Sequence, residues 1–154
     1  MELNKQTTVT EKFYKELYHY GIKGMKWGVR RSKDELAKQL RANLIMREAI
    51  TSGIVKTKIN RESQSRHVLG KGYIQGRSYL KGDLEYAQRL IDELSGTGYA
   101  VKTHKGNWAH KEQVKSNKII GVYIDPNGNA SPTNKATIVY SKTGTHVIPR
   151  RGDK

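Results

Sequence analysis

Tyr140-Ser141-Lys142-Thr143-Gly144-Thr145-His146, near the C-terminus, joins two strand-like runs through a single glycine. The run Ala136–Tyr140 before it and Val147-Ile148 after it read as strands, rich in β-branched and aromatic residues. Gly144 between two threonines marks a turn or bulge that re-aims side chains. The seven residues also gather an aromatic ring, hydroxyls, a lysine and a histidine. Two readings follow. One is an ordinary hairpin with a wet face. The other is a set of donors, a cation and an imidazole around one anionic centre, as a phosphodiester under attack requires.

Upstream, Ile119, Ile120, Val122, Tyr123 and Ile124 form the most apolar strand. Asp125-Pro126-Asn127-Gly128-Asn129 then turns the chain, and Lys135–Tyr140 returns as the expected neighbour. Tyr99–Thr103 reads as a further strand. Gly106-Asn107-Trp108 reads as a turn with one core aromatic, and His110, Lys111, Lys115 and Lys118 as decoration of a connection. Asp83 is the N-cap of a helix whose apolar face is Leu84, Ala87, Leu90, Ile91 and Leu94, stopped by Gly96 and Gly98. This order predicts an α+β domain, one helix packed on a mostly meandering antiparallel sheet.

Further out, Gly70–Leu80 is a basic, glycine-rich loop without the spacing of a nucleotide P-loop; its tyrosines suit base stacking. Lys56–Arg61 is a basic bridge and the expected domain boundary. Ser32-Lys33-Asp34-Glu35 has the form of a capping box. It predicts a helix over Lys33–Ile50 with a Leu36, Leu40, Leu44 stripe, closed by Gly53. Residues 1–17 are polar and aperiodic, and are expected to be flexible.

The chain of 154 residues carries 29 Lys and Arg against 14 Asp and Glu, a net charge of +15. Such a field attracts polyanions, nucleic acid first. Cysteine is absent, which excludes disulfides and thiolate sites. The five histidines lack HxxxH or HExxH spacing, so no metal site is expected. No apolar stretch approaches a membrane span.

Residues 18–31 set Tyr20, Met25, Trp27, Arg30 and Arg31 on a glycine-broken backbone, the residue types that anchor interfaces. The run resembles a short motif, roughly HYGxKGMKWGVRR, found near the termini of tailed-phage head-associated proteins. That resemblance implies a phage or prophage setting, with a capsid or portal protein among the partners and a virion-associated location beside the host cytoplasm.

Ser65-Arg66-His67, Gly76-Arg77-Ser78-Tyr79-Leu80, Asn117–Gly121, Pro132-Thr133-Asn134 and Tyr140–Pro149 occur in that order. Together they resemble the bacterial polymorphic toxin type 50 domain, over about Lys58 to Arg151. The resemblance implies a barnase–EndoU–colicin–RelE-type fold, an endoribonuclease without metal or other cofactor, and a cognate immunity protein. His67 and His146 are then the base and acid, in either order. Lys118 and Arg66 are candidates for phosphate charge, and Ser141, Thr143 and Thr145 for hydrogen bonds to phosphate oxygens. Arg77, Tyr79 and Lys142 are candidates for holding RNA, and Tyr140 either stacks on a base or belongs to the core. Lys71, Arg77, Lys81, Lys115 and Lys118 are the expected salt-sensitive contacts. The implied division is residues 1–17 flexible, 18–55 for targeting or interaction, and 58–151 for chemistry. Two other classes stay open: a non-enzymatic head protein that binds genome or capsid, and a degenerate nuclease fold that inhibits a host system.

Overall fold

The computed structural model of the protein describes residues 30–152. The expected anchors Tyr20, Met25 and Trp27 lie outside the described residues. From Glu35 onward the chain forms one compact unit, which carries the architecture below.

Among the described residues the helices are α1 (Arg30–Thr51), α2 (Arg61–Ser65) and α3 (Leu84–Leu94). The strands are β1 (Tyr79–Leu80), β2 (Tyr99–Lys102), β3 (Trp108–Lys115), β4 (Gly121–Ile124), β5 (Ala130–Thr133), β6 (Lys135–Val139) and β7 (His146–Arg150). They form two antiparallel sheets, ordered β1-β4-β5 and β2-β3-β6-β7. The domain is α+β, as expected, but it is not one meander. After the Asp125 turn the chain pairs back on β4 as β5, and only then crosses as β6 into the larger sheet. The Asp125 carboxylate closes that turn by accepting from the Asn127 and Asn129 amides. Pro132 is tolerated in β5 because β5 is an edge strand. Thr133, buried at its end, donates to the Arg150 carbonyl and ties the two sheets together.

The segment read as a connection is the long strand β3. Its inward positions are Trp108, Glu112 and Val114, so a buried carboxylate interrupts the apolar alternation that marks a strand. His110 interrupts it again, with a left-handed φ of 55° at a bulge.

One face of the larger sheet is core. Ala100, Val114, Ala136, Ile138 and Val147 share a cluster with Leu90, Ile91 and Leu94 of α3 and with Ala42, Met46 and Ala49 of α1. The helix expected over Lys33–Ile50 starts at Arg30, so Ser32 lies within its first turn and is not the N-cap. Of its expected leucine stripe, Leu40 is half-buried while Leu36 and Leu44 face away from the core, 55% and 52% exposed. The stripe that packs is the smaller Ala42, Met46, Ala49, whose short side chains let the helix approach the sheet. These residues and Val55 share one core with the sheet, so α1 from Glu35 onward packs within the same compact unit.

Both edges of the larger sheet are closed by side-chain amides. At β2, Asn43 accepts from the Ala100 N–H and Gln39 donates to the Ala100 carbonyl. At β7, Gln64 does the same for Val147 (2.7 and 2.9 Å). Thr145, two residues earlier, is bonded to the Lys58 carbonyl and Asn60 amide. Pro149, two residues later, has no N–H to satisfy. An open strand edge is thereby removed at each side.

Candidate active site

The hairpin β6–β7 turns through Gly144, whose φ of +138° is left-handed and whose missing Cβ leaves room for Asn60 N and Lys58 O, 3.0 Å from where it would sit. Through this contact the 58–60 segment lies against the turn, with Ile59 bridged in parallel to Thr145. Asn60 caps α2 by accepting from Ser63 N, and Gln64 in α2 grips Val147. The residue three beyond Gln64 is His67. The residue before Val147 is His146. One buried amide therefore registers the two histidines, and their rings lie 6.2 Å apart at 11° to each other.

That separation is too long for direct nitrogen contact between parallel rings. It leaves room for a group that hydrogen-bonds to both. His67 is nearly buried, and its Nδ1 lies 2.8 Å from the Ser78 carbonyl. A carbonyl only accepts, so Nδ1 carries the proton and Nε2 is free for chemistry. Burial holds the His67 pKa below its usual value, against the Ser78 carbonyl, which favours the charged ring; Arg77 and Arg66 add to the depression. His146 is pushed down to about 4, first by burial, then by His67, Arg66 and Lys111.

His146 stands on the face of the larger sheet opposite the core. The register runs Lys111↔Val139 and Val139↔His146, so Lys111, Val139 and His146 form one row. At about 4.8 Å per strand, the Lys111 ammonium can extend over the shorter Val139 toward the ring. Lys111 was not among the expected site residues. The odd-position charges of Lys111-Glu112-Gln113-Val114-Lys115 are the signal for it, once the segment is a strand.

The other expected residues divide. Arg66 and Arg77 are exposed and act on His67; Arg66 also pairs with Glu62 at 3.2 Å. Tyr79 is half-buried beside Ser78, its ring edge-on to Tyr73. Ser141, Lys142 and Thr143 sit in the turn just before His146. There Ser141 donates to the Gly144 carbonyl and accepts from the Thr143 amide, leaving Thr143 and Lys142 exposed. Thr145 is fully buried and its hydroxyl donates to the Lys56 carbonyl at 2.5 Å, so it has no face toward a substrate. Tyr140 is core and cannot stack on a base: it is 2% exposed and donates to Glu112 at 2.5 Å. Glu112 also accepts from the Gly96 and Gly98 amides, which explains a carboxylate inside the sheet. Lys118 follows the far end of β3, beyond Lys115, and is not among the charges acting on either histidine. Arg30 and Arg31 open α1.

A family model described as a family of unknown function (DUF7211) matches residues 10–34. No match is found among curated proteins. No helix among the described residues is long and apolar enough to cross a membrane. The model of the family described as bacterial toxin 50 matches residues 59–149, a span that takes in both histidines, the Gln64 amide, β3, β6 and β7 as far as Pro149. That span is more than half of the chain, and the protein belongs to the bacterial toxin 50 family.

Proposed function

We propose that this toxin domain is a metal-independent endoribonuclease. The observation that supports this most strongly is the His67–His146 pair, two imidazoles held 6.2 Å apart in a basic setting. His146, kept neutral to about pH 4, is the general base that takes the ribose 2′-hydroxyl proton. The oxygen attacks the adjacent phosphorus. His67, whose Nδ1 proton is held on the Ser78 carbonyl so that Nε2 faces the substrate, is the general acid that protonates the leaving 5′-oxygen. Lys111, Arg66 and Arg77 stabilise the negative charge that builds on the phosphorane, with Thr143 and Lys142 at its border. The products are a 2′,3′-cyclic phosphate and a 5′-hydroxyl. Requiring the 2′-hydroxyl makes RNA the substrate. A helix-backed sheet with a chemically equipped open face is compatible with the barnase–EndoU–colicin–RelE type, and a toxin of this kind calls for an immunity protein. The N-terminal segment, which matches a separate family of unknown function over residues 10–34, is read as an addressing segment from its run of Tyr20, Met25, Trp27, Arg30 and Arg31.

The test is cleavage of end-labelled RNA in EDTA, with the new ends identified. Cyclic phosphate ends are expected. His67→Ala and His146→Ala should each cost about 100-fold with the fold intact. A ribonucleoside p-nitrophenyl phosphodiester, whose leaving group needs no proton, should rescue His67→Ala and not His146→Ala. Cleavage abolished by EDTA, or of DNA alone, defeats the reading. Rescue of the opposite variant reverses the two roles.

A further inference from the structure

His67 lies just beyond α2 and belongs to no helix or strand, so the direction of its ring must be set from elsewhere. β1 sets it. The Leu80 amide donates to the His67 carbonyl at 2.8 Å, and His67 Nδ1 donates to the Ser78 carbonyl at 2.8 Å. Backbone and ring are both fixed to one short stretch, Ser78 to Leu80. β1 has only two residues, too few to hold a shape of its own. Its support is β4, paired as Tyr79↔Val122 and Leu80↔Gly121. The strands come close because Gly121 has no Cβ; one there would collide with the Tyr79 carbonyl. The ladder stops at Tyr79, and the Ile124 amide of β4 lies beyond it. The Ser78 hydroxyl takes the missing rung, accepting from the Ile124 amide at 3.0 Å in a site where Ser78 is buried. Ser78 thus meets β4 through its side chain and His67 through its carbonyl. When His67 gives up its Nε2 proton, the neutral ring left behind keeps the proton on Nδ1, the tautomer that this carbonyl accepts.

We propose that the Ser78 hydroxyl is a positioning group for the acid step: it locks the Ser78 carbonyl to β4, and that carbonyl holds His67 with Nε2 turned to the leaving oxygen. Ser78 acts through His67 and not on the substrate. The proposal rests on the ribonuclease reading of the histidine pair. It adds a second source of precision. Gln64 sets the distance between the histidines, and the smaller sheet sets the direction of one of them.

The test compares the full-length protein with Ser78→Ala and with a structural control, Thr133→Val. Thr133 is buried in the same smaller sheet, and its hydroxyl bonds to the Arg150 carbonyl instead of the His67 support, so the control loses a comparable buried hydrogen bond. On RNA, Ser78→Ala should lower kcat about tenfold with KM unchanged, a part of the roughly 100-fold that a lost acid costs. On the ribonucleoside p-nitrophenyl phosphodiester, whose leaving group needs no proton, it should match wild type. Thr133→Val should match wild type on both. Equal losses of Ser78→Ala on the two substrates, no loss on RNA, the same loss in Thr133→Val, or a Ser78→Ala chain that does not fold would make Ser78 structural and overturn the proposal. Nitrogen-15 NMR of histidine-labelled protein, above the His67 titration, supplies a readout independent of cleavage. Wild type should show His67 as a single Nδ1–H tautomer. In Ser78→Ala the shifts of its two ring nitrogens should move toward each other as the tautomers mix. Unchanged shifts remove the positioning role even if cleavage is observed. If wild type cleaves no RNA but the shifts still change, the catalytic reading fails and the positioning role stands.

Discussion

Replacing Gln64 with methionine removes one side-chain amide and should disable both stability and chemistry. Gln64 is fully buried, and it both donates to the Val147 carbonyl and accepts from its N–H, across 83 residues of sequence. Methionine fills a similar volume but offers neither group, so cavity formation is minor. What remains is a buried N–H and a buried carbonyl without partners, each costing about 1–3 kcal/mol. The expected loss is about 2–5 kcal/mol, a large share of the roughly 5–15 kcal/mol that holds a typical domain together. The same amide sets the distance between His67 and His146. A shift of about 1 Å between acid and base is worth on the order of 100-fold in rate. Urea unfolding followed by circular dichroism measures the first effect. RNA cleavage below the onset of unfolding measures the second, with RNA affinity as the control that should not move. A Gln64→Met protein within about 0.5 kcal/mol of wild type and fully active would refute the argument that this residue builds the site.

Tyr140→Phe should destabilise the domain by about 1–3 kcal/mol, since Glu112 loses a buried donor, while RNA affinity stays as in wild type; weaker binding at unchanged stability would return Tyr140 to the substrate. Burial and the Glu112 carboxylate push the Tyr140 phenol above its usual pKa, so its role should persist into alkaline solution. A fragment beginning at Lys56 should fail to fold cooperatively, because Ala42, Met46 and Ala49 leave the core with it, whereas one beginning at Lys33 should unfold as the whole chain does; two-state melting of the shorter fragment would contradict this. His146 titrates near 4 in the fold against 6.5 unfolded, so between these values the unfolded chain binds more protons. Stability present above pH 6.5 should be lost as pH falls through that window, at no more than about 1.4 kcal/mol per pH unit from this group, and His146→Ala should flatten the profile.

Elements governed by near neighbours were legible in the sequence. Asp83 and the 84–94 stripe specify α3, Asp125–Asn129 specifies a turn, and Gly144 between two strand-forming runs specifies the β6–β7 hairpin; caps, periods and turns depend on residues within about four positions. The two histidines stood out for the same reason, as proton carriers in polar runs. Their meeting was a matter of tertiary structure. It depends on Gln64 reading Val147 at the edge of β7, and a single glutamine in a polar run leaves no periodic trace. Local pattern also misplaced α1, where the larger leucine stripe outweighed the Ala42–Met46–Ala49 face that the sheet accepts. It hid β3, whose inward Glu112 looks polar until Tyr140 and the Gly96 and Gly98 amides surround it. Sheet membership and the Lys111 row beside His146 follow from register, and register is set by contacts between distant strands.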